Sequence, residues 1–453
     1  MTKTTLREYL GDREFYKKVA AIAIPISLQS LITIGVNMMD TIMLGKLGET
    51  ALSASSLANQ FISIFQICCM GIGMGASVLT SRFWGMKDNS SLKKAVTIMF
   101  RLCFLFGLLF TAATIVTPEG LMRMYTSEGP VVQAGVSYFQ WSVPCYWLLG
   151  FSLTTTIVLR SVGQVRVPLV SSILAFFINI FANWVFIFGN LGAPRMEVAG
   201  AALGTLISRI FEFLFICGYF LFVDKRVAYR IKDLALKCRD LLGDYLRVSI
   251  PVLVSDSLLA FGNSAVAMVM GRIGASFVSA NAITTVTQQL STVLIQGISN
   301  ASAIITGHTL GEGHTEKAQK QGVTFLGLGA VIGILAGGLI MAISMPIISF
   351  YNITDSTKAI AEELMLAVGF IVIFQSMNSI LTKGVLRGGG DTRFLMAADI
   401  LFLWVASIPL GALAGLVWHL PAFWIYTFLK IDQIIKAVWC VFRLKSRKWI
   451  KKV

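Results

Sequence analysis

Residues 23–48 read AIPISLQSLITIGVNMMDTIMLGKLG, and residues 249–274 read SIPVLVSDSLLAFGNSAVAMVMGRIG. Aligned without a gap, at an offset of 226 residues, the two stretches place Pro25 opposite Pro251. Each is apolar over about 20 residues, the length that crosses the hydrocarbon core of a bilayer as a helix. The two stretches therefore predict equivalent transmembrane helices, each of which opens one half of a repeated chain.

Two further matches extend this repeat. GIGMGASVLTSRFWG at 71–85 aligns with GISNASAIITGHTLG at 297–311, and LRSVGQVR at 159–166 aligns with LRGGGDTR at 386–393. Three matches in nearly one register indicate an internal repeat. With an even number of helices in each half, the halves share one membrane orientation and are related by a pseudo-twofold axis along the membrane normal.

The composition is that of a membrane protein: 56% of the 453 residues are hydrophobic and 13% are charged, against about 25% charged residues in soluble proteins. Long apolar runs predict twelve helices, with the bounds 19–44, 51–81, 92–116, 130–158, 165–190, 197–223, 247–271, 278–306, 318–349, 358–385, 394–416 and 420–443. The prediction is an all-α membrane protein of two six-helix lobes. Its predicted domains are an amino-terminal lobe, a cytoplasmic connector and a carboxy-terminal lobe, at residues 1–223, 224–246 and 247–453.

Basic residues cluster in alternate gaps between the predicted helices. The formal net charge of +15 reflects cations at helix ends, where they contact lipid headgroups, so nucleic acid is excluded as a partner. By the positive-inside rule both termini and the connector are cytoplasmic. We expect a multi-pass protein of the cell (inner) membrane that acts as a monomer in the lipid bilayer.

Acidic residues inside the predicted spans are candidates for function, because a charge at the bilayer centre costs about 2.5–3.5 kcal/mol on the insertion scale. Asp40 is the favoured candidate, since Val266 stands at its repeat position and the carboxylate is therefore no part of the shared architecture. The others are Glu212, Asp256, Asp399 and Asp432. Arg209 lies three residues before Glu212 and Lys436 four after Asp432; these spacings predict a structural ion pair and an exposed ion pair, respectively.

Polar residues of the fifth and sixth predicted helices complete a candidate site with Asp40. Asn179 and Asn183 are four residues apart and share one helix face, and Thr205 follows on the next helix. A carboxylate, two amides and a hydroxyl suit a hard cation such as Na⁺, or form a network that tunes the proton affinity of Asp40. Each Asn taken alone is more typical of helix–helix packing, and the ion stays open.

Prolines and glycines add two expectations about the helices. Pro25 and Pro251 each remove one intrahelical hydrogen bond and can bend their helices. Gly71, Gly73 and Gly75 indicate close helix packing, because no strand or Walker lysine accompanies them. No ATP-hydrolysing domain is recognisable, so a transporter of this sequence would draw on an ion gradient.

Over nearly its whole length the chain resembles the multidrug and toxic compound extrusion (MATE) transporters. The resemblance rests on IP-x-SLQSL-x₃-GVNMMDTIMLGKLG, on the stretch from GQVRVPLV to GAALGT in the fifth and sixth helices, and on KGVLRGGGDTRF after the tenth. It implies a secondary active transporter rather than an enzyme, without a cofactor other than its coupling ion. Such a transporter exports cationic amphiphilic compounds in exchange for Na⁺ or H⁺.

The resemblance also implies site residues. The cation site falls on Asp40, Asn179, Asn183 and Thr205, with the Ala201 carbonyl as a further ligand, and Pro25 falls on the proline at which the first helix bends in some members. Asn183 stands where some relatives have Asp, which leaves Na⁺ and H⁺ undecided.

The second half departs from the family pattern. The tenth predicted helix, which carries an acid in some members, here reads FQSMNSIL without a carboxylate. Asp256, Asp399 and Asn378 remain as a candidate polar site of the carboxy-terminal lobe.

A flippase for lipid-linked saccharides, from the same wider superfamily, is the alternative function. Such a protein needs a cationic cleft to hold its anionic substrate. The position of most basic residues outside the predicted spans argues against this alternative.

Overall fold

The computed structural model describes residues 11–47, 49–349, 351 and 353–451. No strand occurs in this part of the chain. Its fifteen α-helices, some of which continue into short π-helical segments, are α1 (Arg13–Gly45), α2 (Glu49–Met86), α3 (Asn89–Val116), α4 (Pro118–Arg123), α5 (Gly129–Ser161), α6 (Arg166–Phe188), α7 (Glu197–Val223), α8 (Arg239–Ile273), α9 (Ala275–Ser291), α10 (Val293–Gly311), α11 (Thr315–Ser349), α12 (Asp355–Leu386), α13 (Thr392–Val417), α14 (Ala422–Leu429) and α15 (Ile431–Lys445).

The predicted spans correspond to these helices. In the described residues, ten single helices are long and apolar enough to cross a membrane, and α9 with α10, bent by 47°, forms an eleventh span. The predicted twelfth span is α14 followed by α15, with Lys430 between them. Helix α8 begins at Arg239, eight residues before the predicted 247, so the end of the predicted connector is helical.

The outer faces of the helices are apolar. Leu105 and Leu109 of α3 are 58% and 62% exposed, and Leu335 of α11 is 66% exposed. Lipid tails cover such side chains at no cost, and helices satisfy every backbone hydrogen bond internally, as the bilayer requires. The chain is a multi-pass membrane protein.

The chain divides into two compact units, and the division runs through two helices. The amino unit is Leu28–Leu253, and the carboxy unit is Val254–Val453 together with the chain up to Ser27. The boundaries therefore lie two residues after Pro25 and two residues after Pro251. The predicted lobe boundaries at 223 and 247 stay a prediction, and residues 1–10 and 452–453 of the predicted cytoplasmic termini lie outside the described residues.

The two helices that the unit boundaries divide, α1 and α8, pack closely against glycines of other helices. The contacts are at equivalent positions of the two sequence halves. In the amino unit, a Cβ on Gly71 would lie 2.9 Å from the Leu253 Cα. In the carboxy unit, a Cβ on Gly297 would lie 2.0 Å from the Ser27 Oγ. Gly71 and Gly297 are repeat equivalents, as are Ser27 and Leu253. The sequence prediction of close packing at Gly71, Gly73 and Gly75 is confirmed.

The connector before α8 packs on α3. The Tyr229 hydroxyl shares a hydrogen bond of 2.9 Å with the Thr97 hydroxyl, and Lys93 pairs with Asp233 at 2.9 Å. Burial alone would raise the pKa of Asp233, but the bonds from Lys93 and from the Arg230 N–H lower it below its ordinary value. The connector is thus an ordered part of the amino unit.

Gly75→Ala should destabilise the protein by about 1–3 kcal/mol, the usual range for overpacking. Its Cβ would lie 2.8 Å from the Ser249 Cα, a backbone atom that cannot move aside alone. Gly243→Ala is the control, because a Cβ there meets nothing within 4 Å. Thermal unfolding of the purified variants measures the difference, and equal melting temperatures would contradict the packing described here.

Candidate cation site

Asp40, near the end of α1, is hydrogen-bonded to α6. The Asn183 amide N–H donates to the Asp40 Oδ1 at 2.6 Å and also lies 3.3 Å from the Asn179 Oδ1. Both Asn side chains are buried, with 2% and 0% exposure for Asn179 and Asn183, because their helix face turns into the amino unit. The structure thus brings together three of the predicted site residues.

The Asn183 Oδ1 has no hydrogen-bond partner among the described residues, although it is buried. It lies against α7, where a Cβ on Gly204 would approach it to 2.1 Å. A buried acceptor oxygen without a donor is costly, and a bound cation would satisfy it. The oxygens therefore fit a hard monovalent cation, and the Asp40 carboxylate equally fits a proton.

Thr205 and Ala201 lie on α7 next to this group. Ala201 is buried in one apolar cluster with Met43 and Leu44 of α1, and Thr205 directly follows Gly204. Within the described residues no hydrogen bond joins the Thr205 hydroxyl to Asp40. The ligand roles of Thr205 and the Ala201 carbonyl, and the bend at Pro25 within the single helix α1, stay predictions.

A polar cavity of about 60 Å³ adjoins the site. Its lining includes Asn179 and an ion pair in which the Arg209 guanidinium donates to the Glu212 carboxylate at 2.6 Å. Its other lining residues are Ile32, Thr33, Val36, Asn37, Ser172, Ala175, Phe176 and Ser208. The geometry agrees with the predicted local pair, and the cavity provides room for water or an ion beside Asn179.

The carboxy unit contains a second, more heavily charged group. Lys436 of α15 donates to the Asp399 Oδ1 at 3.1 Å and pairs with the Asp432 Oδ2 at 2.9 Å. The Ser255 hydroxyl donates to the other Asp399 oxygen at 2.5 Å, and the Ser407 hydroxyl donates to the Asp432 Oδ1 at 3.0 Å. One ammonium thus bridges two carboxylates from two helices, α13 and α15.

The remaining candidates of the second half border this group. The Gln433 side-chain amide donates to the Asp432 Oδ2 at 2.8 Å, and the Asn378 side-chain amide donates to the Gln433 Oε1 at 2.7 Å. Asp256 pairs with Arg387 at 3.4 Å. Asp399 and Asn378 therefore belong to one network, and Asp256 is next to Ser255, which is part of it.

One expectation about charge was wrong. Asp432 and Lys436, expected as an exposed pair, are each 2% exposed, because their helix face turns into the carboxy unit. Basic residues also occur within the membrane helices, among them Lys383 of α12 and Lys436 of α15. The prediction from sequence missed Lys383, although a lysine inside a predicted apolar span indicates function or pairing as an aspartate does.

The family model described as MatE matches residues 25–185 and 251–436. The chain belongs to the MATE family. The two matched segments begin at Pro25 and Pro251, in agreement with the internal repeat. This membership makes the protein a membrane transporter with the two-lobed, twelve-helix MATE fold, and not an enzyme.

Relatives and solved structures agree over the full length. The chain is 25% identical to a probable multidrug resistance protein NorM of Thermotoga maritima over 100% of this chain and 97% of that protein. It is 23% identical to the multidrug resistance protein MdtK of Yersinia pseudotuberculosis over 96% of each chain. The crystal structure of MATE in the straight conformation superposes with a TM-score of 0.87 at 20% identity, covering 99% of this chain and 100% of that one.

Gly204→Ala should impair transport more than it impairs folding, because its Cβ must push the Asn183 amide away from its present position against Asp40. Gly218→Ala on the same helix is the control, since a Cβ there meets nothing within 4 Å. Gradient-driven uptake of a transported dye into vesicles, normalised to the amount of folded protein, measures the effect. Equal uptake by the two variants would show that the Asn183 position is unimportant.

Proposed function

We propose that this protein is an antiporter that exports small amphiphilic, preferably cationic, compounds in exchange for H⁺ or Na⁺ at Asp40. One observation carries the proposal: a carboxylate inside a membrane helix, joined at 2.6 Å to a buried amide whose own oxygen lacks a donor. The full-length likeness to proteins named for multidrug resistance supports the substrate class. Binding of a cation would neutralise the carboxylate and satisfy the amide oxygen.

Neutralisation would change the hydrogen bonds that the Asp40 side chain can make. An ionised carboxylate only accepts, here from the Asn183 N–H. A protonated carboxyl can also donate its O–H to an oxygen such as the Asn179 Oδ1, and a bound Na⁺ would instead attract the oxygens themselves. The arrangement of α1, α6 and α7 then depends on the ion. Each elementary charge that moves inward yields about 2.3 kcal/mol per 100 mV of membrane potential, which is enough to drive export of a neutral compound against a concentration gradient.

The localisation, oligomeric state and membrane orientation of the protein belong to the same proposal. The protein acts as a monomer in the cell (inner) membrane, with both termini in the cytoplasm, and alternates access to its substrate by rearranging its helices. Flanking cations such as Lys93, Lys94 and those of the connector support this orientation through the positive-inside rule.

A flippase for lipid-linked saccharides is the second candidate. It is favoured by Lys383, a solvent-accessible lysine on the membrane helix α12 that has no carboxylate in ion-pair contact among the described residues. Three other basic side chains of the second half argue against the flippase. Arg387, Lys436 and Arg443 each pair with an aspartate.

Asp40→Asn should abolish ion-driven transport, because an amide can neither bind a proton at neutral pH nor supply charge to Na⁺. The measurement is ethidium uptake into inside-out vesicles under separately imposed H⁺ and Na⁺ gradients. Wild-type vesicles should accumulate dye under one gradient, and the variant should accumulate no more than vesicles without the protein.

Asp355→Asn is the matched control, since it removes a fully exposed carboxylate and should leave uptake unchanged. Normal pumping by Asp40→Asn would refute the coupling site. If neither gradient moves dye through the wild type, the substrate class is refuted and the next assay is lipid flipping.

A further inference from the structure

Lys436 occupies a position that resembles that of a bound ion. Its ammonium lies 3.1 Å from the Asp399 Oδ1 and 2.9 Å from the Asp432 Oδ2, and its side chain is only 3% exposed. The two carboxylates are also buried, with side-chain exposures of 10% and 2%. A single positive charge is therefore enclosed by oxygens from two helices.

These oxygens are held in place independently of Lys436. The hydroxyls of Ser255 and Ser407 each donate to one of the carboxylates, at 2.5 and 3.0 Å. Carboxylates and other oxygen donors, positioned by neighbouring groups, are the ligands that hard monovalent and divalent cations prefer. Without the lysine side chain, the same oxygens would form an anionic pocket for one cation.

The charges around Lys436 leave no deficit of positive charge. Its ammonium contacts the carboxylates of Asp399 and Asp432, and the cations Lys383 and Lys430 lie close enough to act on its charge. With Lys436 itself, the basic groups outnumber the acidic ones. An additional cation is thus not required for neutrality in the carboxy unit.

The amino unit differs in this respect. Arg209 is paired with Glu212 at 2.6 Å, and its charge also acts on Asp40. Glu212 is therefore the ion-pair partner of this guanidinium, and Asp40 has no cation in ion-pair contact among the described residues. An unpaired carboxylate in a membrane helix is expensive, whereas both aspartates that contact Lys436 are paired with it.

We propose that Lys436 is a tethered counter-ion: its ammonium permanently fills the cation position of the carboxy unit, so this unit binds no coupling ion. If the function proposed above holds, each transport cycle then uses the single cation at Asp40. Lys436 is in this sense a residue that determines ion stoichiometry.

The test asks whether removal of the ammonium creates a Na⁺ site. Thermal unfolding of purified protein is measured at pH 8.5 in NaCl and in choline chloride at equal ionic strength. Lys436→Ala in an Asp40→Asn background should melt higher in NaCl by about 3 °C or more, as ligand binding to the folded state requires. The same variant with Asp399→Asn and Asp432→Asn added should show no difference between the salts. Lys436→Arg in the Asp40→Asn background should also show none.

Asp40→Asn alone leaves the network intact and supplies a second test, which needs no change at Lys436. It should melt at the same temperature in both salts. A Na⁺-specific rise in this variant, or no rise after Lys436→Ala, would overturn the proposal, and so would a Lys436→Ala variant that fails to fold even in NaCl. Because no transport is measured, these outcomes are separate from failure of the antiport assay.

Discussion

In the hydrocarbon core of a bilayer, every backbone N–H and C=O must find its hydrogen bond within the protein. That constraint makes the described chain helical wherever it crosses the membrane, and it gives special weight to the places where a bond is missing. Pro25 and Pro251 each remove one, inside helices that continue past them. The two compact units divide two residues beyond each proline, so the interruptions coincide with the change from one unit to the other.

The same low-polarity surroundings govern the side chains, and the two units respond differently. In the amino unit the Arg209 guanidinium pairs with Glu212, and the second carboxylate, Asp40, is held by the Asn183 amide. An exchangeable cation would neutralise Asp40. In the carboxy unit the chain supplies its own cations, and a lysine bridges two aspartates that come from different helices. The two halves of an internally repeated sequence thus differ in their electrostatics, and this difference is the physical basis of the proposal that only Asp40 binds a coupling ion.

Much of this arrangement could be predicted from the sequence, because hydropathy, repeat register and helix periodicity are local properties. The helices and the shared face of Asn179 and Asn183 follow from them. The partner of Asp399 could not be predicted in this way, since Lys436 lies 37 positions away and only packing of α13 on α15 brings them together. Burial of the Asp432–Lys436 pair could not be predicted either, because the spacing of two charged residues does not indicate which face of their helix turns inward.

The reciprocal glycine contacts have an evolutionary consequence. Ser27 packs on Gly297 and Leu253 packs on Gly71, so each half of the sequence contributes the opening segment of one long helix to the other half's compact unit. A chain of half this length would lack the opening segment that the other half supplies here. Two copies that exchange their first segments, as a domain-swapped dimer does, would restore both contacts, and fusion of two such genes would keep that exchange within one polypeptide.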